Sequence, residues 1–479
     1  MLLSALLETT EPSAIALSAG SGDPDVLRVV HDSRQVRPGD LFCCIPGQSS
    51  DGHEHATEAV AAGAVAVLAE RVLDVDVPLL VVNSVRILMP LLATEVAGRP
   101  SEKLEVIGIT GTNGKTSVTH LLGGVFEYAG RKPAIIGTLA GGLTTPEAPD
   151  LQGQLASLVS EGVGAVVMEV SSHALDQYRV DGTHFSTAAF TNLSRDHLDY
   201  HQTMESYAAA KGRLFTPVFT DRAVIVVDSR IGARLAKSAS RMGLEVVEVS
   251  VSGIDREVQV DQVAFRWRNL DVHVPVGGDF TVANSVVAAE LAYLAGVAPL
   301  AIVDGLARIS GIPGRFEQVE VQDGPTVIVD YAHSPDSLTA LLASVRSIAA
   351  GGRVISVFGC GGERDTGKRP EMGRAAEEGA DLVVLTSDNP RGEPPEGVIA
   401  DILEGMAGRP EEVVVDRRQA IGAALGMAHS EDVVVISGKG HEKFQEVDGQ
   451  QLPFDDRIVV REEAKNLADG HARDAGIET

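Results

Sequence analysis

Cysteine is nearly missing from this chain. Only Cys43, Cys44 and Cys360 occur in 479 residues. Two are adjacent and the third is remote, which excludes a disulfide framework and a Cys/His zinc pattern. Reduced cytosolic thiols are the expectation, and with them a cytoplasmic location. Basic charge is also short: 40 Lys and Arg against 67 Asp and Glu leave a net charge of −27. That balance argues against general nucleic-acid binding, and an anionic substrate would need local basic pockets. No run of 18 apolar residues occurs, so no membrane insertion is expected. The segment Met1–Glu11 lacks a basic region and reads as a short amphipathic helix rather than a signal peptide. Aromatic residues make up 4% while glycine numbers 50, and 44% of the chain is apolar. This suits an α/β protein with many strand–helix turns. At this length one core is not enough, and two to four domains are expected.

What is present centres on residues 104–117. Leu104–Thr110 is a short apolar, β-branched run that reads as a buried strand. Gly111-Thr112-Asn113-Gly114 is turn chemistry, and Thr116–Tyr128 reads as a helix ending at Gly130. Such a unit cradles phosphate: loop amides and the helix N-terminus face the anion, Lys115 adds a charge, and the Thr116 hydroxyl can bind Mg²⁺. The spacing is shorter than the general P-loop, because Ile109 stands where that pattern needs glycine. Nucleotide binding is the reading that this context favours over a structural turn.

The first hundred residues alternate apolar runs and helical patterns (Val26–His31, Glu54–Ala62, Ala64–Ala69, Leu79–Val82, Val85–Val96) and read as a small α/β domain over 1–100. Its Asp32–Arg34 and Pro46–His53 loops suit either a diphosphate or plain turns. Gly98–Ser101 has linker composition. In a central unit over 101–312, Val163–Val170 and Thr187–Asn192 read as strands. Glu169 closes the first beside the phosphate loop and is a plausible Mg²⁺ ligand. The loop Ser194–His201 is dense in acid and histidine. Lys211, on a helical stretch Met204–Phe215, reads from the residues alone as a solvated lysine. A β-rich stretch over Val247–Val276 precedes a helix, Phe280–Ala295.

After a second linker at Ser310–Glu317 the βα alternation restarts over 313–479. Four polar, Gly-rich loops follow its apolar strands: Asp330–Asp336, Gly359–Pro370, Asp388-Asn389-Pro390-Arg391 and Ser437–Glu442. Loops after parallel strands gather at one sheet edge, where ligands bind. Residues 462–479 are polar and read as a loosely held tail.

These motifs, in this order, resemble the Mur ligases, and the resemblance covers nearly the whole chain. It implies an α/β fold of three domains: a UDP-precursor-binding domain, a central P-loop ATPase domain with a parallel or mixed sheet, and a C-terminal Rossmann-like domain. It implies ATP and Mg²⁺ as cofactors, with UDP-N-acetylmuramoyl-L-alanyl-D-glutamate and meso-2,6-diaminopimelate as partners, and a monomer. By the same analogy Ser33, Gln48, Ser49 and Ser50 hold the uridine diphosphate. Thr144, Thr145, Ser171, Gln177 and Arg179 match positions for the muramyl dipeptide. The nucleotide falls to Gly111 through Ser117, Asn284, Arg315, Asp330 and His333. Thr116, Glu169 and His197 match metal ligands, and Lys211 matches a lysine that becomes N-carboxylated. Catalysis would rest on Lys115, Lys211, His197 and Glu169. The amino acid falls to Arg364, Asp388, Asn389, Pro390, Arg391, Gly438 and Glu442. Three positions depart from the family pattern: Leu143 and Thr281 stand where asparagine is usual, and Glu363 replaces aspartate. A lysine-adding or folylpolyglutamate-type ligase, and a non-catalytic nucleotide-binding relative, are the alternatives.

Overall fold

The computed structural model describes residues 1–9, 16–18, 22–47 and 50–474. Three main sheets follow one another along the chain. The first has five strands in the order Ala16–Ser18, Leu79–Val81, Ala66–Ala69, Asp40–Cys43, Arg28–Val30. All pairs are parallel except that of Ala16–Ser18 with Leu79–Val81. Period-two alternation buries both faces. Leu41, Cys43, Ala66 and Leu68 pack toward helix Val85–Val96, while Phe42, Cys44, Val67 and Ala69 pack toward Ala56 and Ala59. Burial pushes the Cys44 thiol up to about 12 and the Cys43 thiol upward as well, so both are inert hydrophobes.

The central sheet is entirely parallel, in the order Glu245–Val249, Arg222–Val226, Thr187–Phe190, Glu105–Thr110, Ala165–Glu169, Pro133–Ile136. From Glu105–Thr110 the chain passes to the edge strand Pro133–Ile136, returns to Ala165–Glu169 beside the first, then crosses to the other side. That reversal opens a crevice at the carboxyl end of Glu105–Thr110, the usual ligand position in such sheets. One face packs against helices Lys115–Tyr128 and Phe280–Leu294. An antiparallel meander, Arg256–Val258, Val263–Trp267 and Leu270–Val274, extends the same core through Val263, Phe265 and Trp267. The other face is covered by Leu151, Leu155, Phe185 and Phe215.

The third sheet runs Glu317–Val319, Thr326–Asp330, Val433–Ser437, Val354–Phe358, Leu382–Leu385, Glu412–Val413, with only Glu317–Val319 antiparallel. Its parallel strands bring the loops after Asp330, Phe358, Leu385 and Ser437 to one edge. The C-terminal stretch departs from the expected loose tail. Residues 456–474 form a helix, with Val459 and Val460 buried against helix Arg417–Met427 and Arg418 paired to Glu462 and Glu463. Val459 and Val460, with Ala464 and Leu467 partly buried beside them, and a few ion pairs dock a helix that is otherwise rich in charge. A hairpin, Phe444–Val447 with Gln450–Pro453, turns at Asp448-Gly449, both at positive φ. No helix among the described residues is long and apolar enough to cross a membrane.

The second and third sheets face each other through ionic contacts. Arg195 meets Glu371 at 2.5 Å, its N–H donates to Asp336, and Lys368 reaches Asp196 at 3.5 Å.

Candidate active site

Strand Glu105–Thr110 runs straight into the phosphate loop. Gly111 (φ 155°) and Gly114 (φ 87°) adopt backbone shapes that favour glycine, and a Cβ at either would run into the Thr191 hydroxyl or the Asn284 amide. The loop is stitched to the next strand end: Thr112 N–H donates to the Asn192 carbonyl (3.0 Å) and Asn113 N–H to Asn192 Oδ1 (2.9 Å). Lys115 Nζ folds back onto the carbonyls of Gly111 (3.0 Å) and Thr112 (2.9 Å). Burial lowers the Lys115 ammonium, with Glu169 and Asp196 pulling it back up.

Glu169, only 1% exposed, ends the neighbouring strand. Its carboxylate accepts from the Thr116 hydroxyl at 3.0 and 3.1 Å and from Thr138 N–H at 2.9 Å. Gly137 lies against it so closely that a Cβ there would overlap the carboxylate. His197 sits at φ 55°, its ring edge-on to His173 at 4.8 Å. Burial brings His197 down to about 3, Asp196 opposing, so the imidazole is neutral. Asp196 is buried and stands 3.5 Å from each of His197, His333 and Lys368. Burial would raise its carboxyl, but those three cationic or donor groups hold it well below the usual range.

Lys211 is 2% exposed, not solvated as the residues alone suggested. Its Nζ donates to the Gly111 carbonyl at 2.8 Å and lies 4.6 Å from the Tyr207 ring centre, with no carboxylate in ion-pair contact among the described residues. Burial, reinforced by Lys115, moves its ammonium well below the ordinary lysine range. Among the described residues no group of three or more His, Cys, Asp and Glu forms a ready metal cage. Mg²⁺ is commonly held by one or two carboxylates with phosphate and water rather than by an all-protein cage. The convergent Glu169 carboxylate and Thr116 hydroxyl fit that donor set.

A cavity of about 600 Å³ joins these groups to the third sheet. Thr112 to Ser117 line its floor, Asn284 and Arg315 stand against that loop, and Asp330 and His333 also line the cavity. Gly111 and Lys211 lie just beneath. Thr144, Thr145, Ser171 and Arg179 line one wall. There Thr145 Oγ1 donates to the Glu169 carbonyl (2.9 Å) and accepts from Ser171 N–H (3.0 Å). Gln177 is outside the lining but accepts from Arg179 at 2.7 Å. Arg179 also pairs with Glu147 at 3.0 Å, and Glu147 reaches Arg86 of the first sheet's helix at 3.4 Å. Leu143 projects into this wall at 53% exposure. Ser33 and Ser50 do not line this cavity: Ser33 begins a short turn capped by Asp32, and Ser50 contacts His55 at 2.9 Å. Gln48 and Ser49 lie outside the described residues.

Arg364, Asp388, Asn389, Arg391, Gly438 and Glu442 line the opposite wall, and Pro390 does not. Arg364 has no protein partner among the described residues. Arg391 differs from the free guanidinium that its motif suggests. Its Nε pairs with Glu446 at 3.1 Å and its Nη1 donates to the Gly362 carbonyl at 2.6 Å, which leaves Nη2 without a partner among the described residues. Burial raises the Asp388 carboxyl, with Lys439 and Arg417 opposing. Several residues here carry no signal from one-dimensional reading: Asp196 and Lys368, which bridge two sheets, and Glu446, Lys439 and Arg417 behind the Asp388–Arg391 loop. Asp196, Lys368 and Lys439 at least sit inside motifs already singled out; Glu446 and Arg417 do not.

Family models match along the chain in order. The Mur ligase family, catalytic domain, matches residues 26–98; the Mur ligase middle domain matches 109–292; and the Mur ligase, glutamate ligase domain, matches 314–440. The chain belongs to the Mur ligase family. A relative from Syntrophomonas wolfei, named UDP-N-acetylmuramoyl-L-alanyl-D-glutamate–2,6-diaminopimelate ligase, is 41% identical over 95% of this chain and 98% of its own length. One of the same name from Xylella fastidiosa is 44% identical over 90% and 92%. A solved structure of an enzyme of that name superposes with a TM-score of 0.65 at 34% identity, covering 92% of this Mur ligase and 95% of the other chain. A Thermotoga maritima MurF ligase in complex with ADP shares the fold (TM-score 0.64, 19% identity, 94% and 98% covered).

Proposed function

We propose that this Mur ligase adds meso-2,6-diaminopimelate to UDP-N-acetylmuramoyl-L-alanyl-D-glutamate, driven by ATP, in the cytoplasm. Its domains are assigned to 1–100, 101–312 and 313–479. The observation that carries the reading is a single cavity with three chemically distinct walls. One is a phosphate loop. The second bears small hydroxyls with Arg179. The third bears unpaired guanidinium nitrogens of Arg364 and Arg391 beside the Glu442 carboxylate.

The chemistry follows from the groups. A carboxylate is a poor electrophile, so a substrate carboxylate oxygen first attacks the γ-phosphorus of ATP and ADP departs, giving an acyl phosphate. The amine of the incoming amino acid then attacks the acyl carbon, the amide C–N bond forms, and phosphate and a proton leave. Joining two anions demands neutralised charge and in-line placement, the bulk of what an enzyme contributes to phosphoryl transfer. Lys115 releases the loop carbonyls to meet the phosphates. The helix N-terminus behind it adds fixed dipoles. Asn284 and Arg315, with Asp330 and His333, are assigned to holding the nucleotide. Thr116, Glu169 and His197 would hold Mg²⁺, which when bound supplies positive charge to the transferring phosphoryl group.

Lys211 completes that set as a carbamate. Its neutral Nζ attacks CO₂, an N–C bond forms and a proton leaves to water. The product is an anionic oxygen donor suited to a hard cation. Ser33, Gln48, Ser49 and Ser50 are assigned to the uridine diphosphate, and Thr144, Thr145, Ser171, Gln177 and Arg179 to the dipeptide.

Phosphate release from ATP, measured with the UDP-muramyl dipeptide and a panel of amino acids, tests the reading. Release that requires both the dipeptide and diaminopimelate is expected. Release with a folate, or with no carboxylate acceptor at all, would contradict it.

A further inference from the structure

Lys439 has no exposed side-chain surface, yet it lies just behind the wall assigned to the amino acid. It is not part of the cavity lining. The backbone turns it inward: Gly438 (φ 113°) and Gly440 (φ 53°) flank it, and a Cβ at either would crowd Asp388 or Tyr331. A buried ammonium must find acceptors. Nζ donates to Asn389 Oδ1 and to Glu442 Oε2, both at 2.9 Å, and stands 3.8 Å from Asp388 Oδ1.

The Asn389 amide is used up in the same web. Its Oδ1 also accepts from Glu446 N–H at 3.0 Å, and its Nδ2 donates to Glu442 Oε2 at 2.9 Å. One oxygen of Glu442 therefore takes two protein hydrogen bonds. The other, Oε1, takes none among the described residues, and Glu442 lines the cavity.

We infer that Lys439 is a positioning residue that works through Asn389 and Glu442. It locks Oε2 so that Oε1 faces the cavity as the acceptor for an ammonium group of the incoming amino acid. The inference rests on the reading of this cavity as an amino-acid ligase site. Two oxygens of one carboxylate thus have two duties: one is anchored by a buried cation, the other is presented to a substrate cation. Lys439 touches no substrate in this arrangement.

The test is a cycle of Lys439→Met, Glu442→Gln and the double variant. The specificity constant and KM are measured for diaminopimelate, or for whichever amino acid the wild type accepts. Lys439→Met is expected to raise the amino-acid KM about 10- to 100-fold, the range for outer-shell partners that orient a liganding group. The KM values for ATP and the UDP precursor should stay at wild-type level. Added to Glu442→Gln, Lys439→Met should cost almost nothing more, because its route to the substrate is already cut. Equal rises in all three KM values, or losses that multiply in the double variant, would overturn the inference. If near-ultraviolet circular dichroism shows Lys439→Met unfolded, Lys439→Gln, which keeps N–H donors but carries no charge, makes the same comparison. A wild type that ligates a different amino acid corrects the proposed substrate and leaves the cycle to judge Lys439 with that amino acid. A wild type that ligates none overturns both.

Discussion

Arg315 Nη2 donates to the Thr116 hydroxyl at 3.2 Å, although 199 residues separate them. Thr116 lies in the first turn of the helix behind the phosphate loop, while Arg315 precedes the first strand of the third sheet with its guanidinium 4.2 Å from the Tyr331 ring centre. The same hydroxyl donates to Glu169. A cation from one segment thus reaches the group that would hold metal in another. Arg315→Ala is expected to lower kcat by about 10²- to 10³-fold, the usual cost of removing one preorganised donor at a charged transition state. Steady-state kinetics with ATP varied checks this, and a kcat within twofold of wild type would contradict it.

Gly137→Ala tests how tightly Glu169 is placed. The φ of Gly137 is extended, so any residue tolerates the backbone, and the obstacle is the carboxylate against which a Cβ would press. The variant should fold with an unchanged circular dichroism spectrum but lose most of its ATP turnover. Retained turnover would mean that Glu169 can shift without consequence.

Lys211 should carry a carbamate in the active enzyme. Labelled bicarbonate is expected to give a carbamate carbon resonance that vanishes in Lys211→Ala, together with the ligation rate. A fully active Lys211→Ala variant would refute the assignment.

Selectivity between diaminopimelate and lysine depends on one extra carboxylate in the former. Arg391 already spends Nε on Glu446 and Nη1 on Gly362, so it offers a substrate a single nitrogen. Loss of one charge-assisted hydrogen bond costs about 1.5–3 kcal/mol, or roughly 10- to 150-fold in a specificity ratio. Arg391→Ala should therefore erode the preference for diaminopimelate by that factor. An unchanged ratio of specificity constants would show that Arg391 only ties the loop to the hairpin.

Asp432 anchors the strand pair Val433–Ser437 and Val354–Phe358, accepting from Arg353 N–H at 2.8 Å and from its Nη2 at 2.6 Å. Burial would raise this carboxyl, but the Arg353 fork and the backbone N–H groups of His429 and Arg353 bring it down to about 2. A folded value below the ordinary 3.8 contributes stability that is present above about pH 4 and lost as pH falls through about 2. Asp432→Asn should lower the urea midpoint at neutral pH, and the gap to wild type should narrow as the solution is acidified below about pH 4. A constant gap would contradict the ion-pair account.

The sheet architecture was legible in the sequence because each strand, glycine turn and helix is a local pattern. Strands Glu105–Thr110 and Ala165–Glu169 and the four loops of the third sheet follow from hydrophobic runs and the turns that end them. Lys211 was not legible from its own helix, because its burial is set by the Gly111 carbonyl 100 residues away. The partner of Arg391 was missed for a related reason. Glu446 lies on the hairpin turned by Asp448-Gly449, a strong local signal, but which loop that hairpin contacts is a tertiary matter. Helix Asp456–Asp474 escaped because its docking residues Val459, Val460, Ala464 and Leu467 are few among many charged ones, and the partners Arg417 and Arg418 lie on another helix. Gly and loop chemistry can be read in one dimension; burial of a lone charge cannot.

The most direct test of the proposed activity is mass spectrometry of the nucleotide product formed from UDP-N-acetylmuramoyl-L-alanyl-D-glutamate, ATP and an equimolar mixture of meso-2,6-diaminopimelate and L-lysine. The account predicts a product heavier than the dipeptide precursor by one diaminopimelyl residue, formed in step with ADP and phosphate and absent when ATP is left out. A lysyl product, or no nucleotide-linked product at all while ATP is hydrolysed, would contradict it.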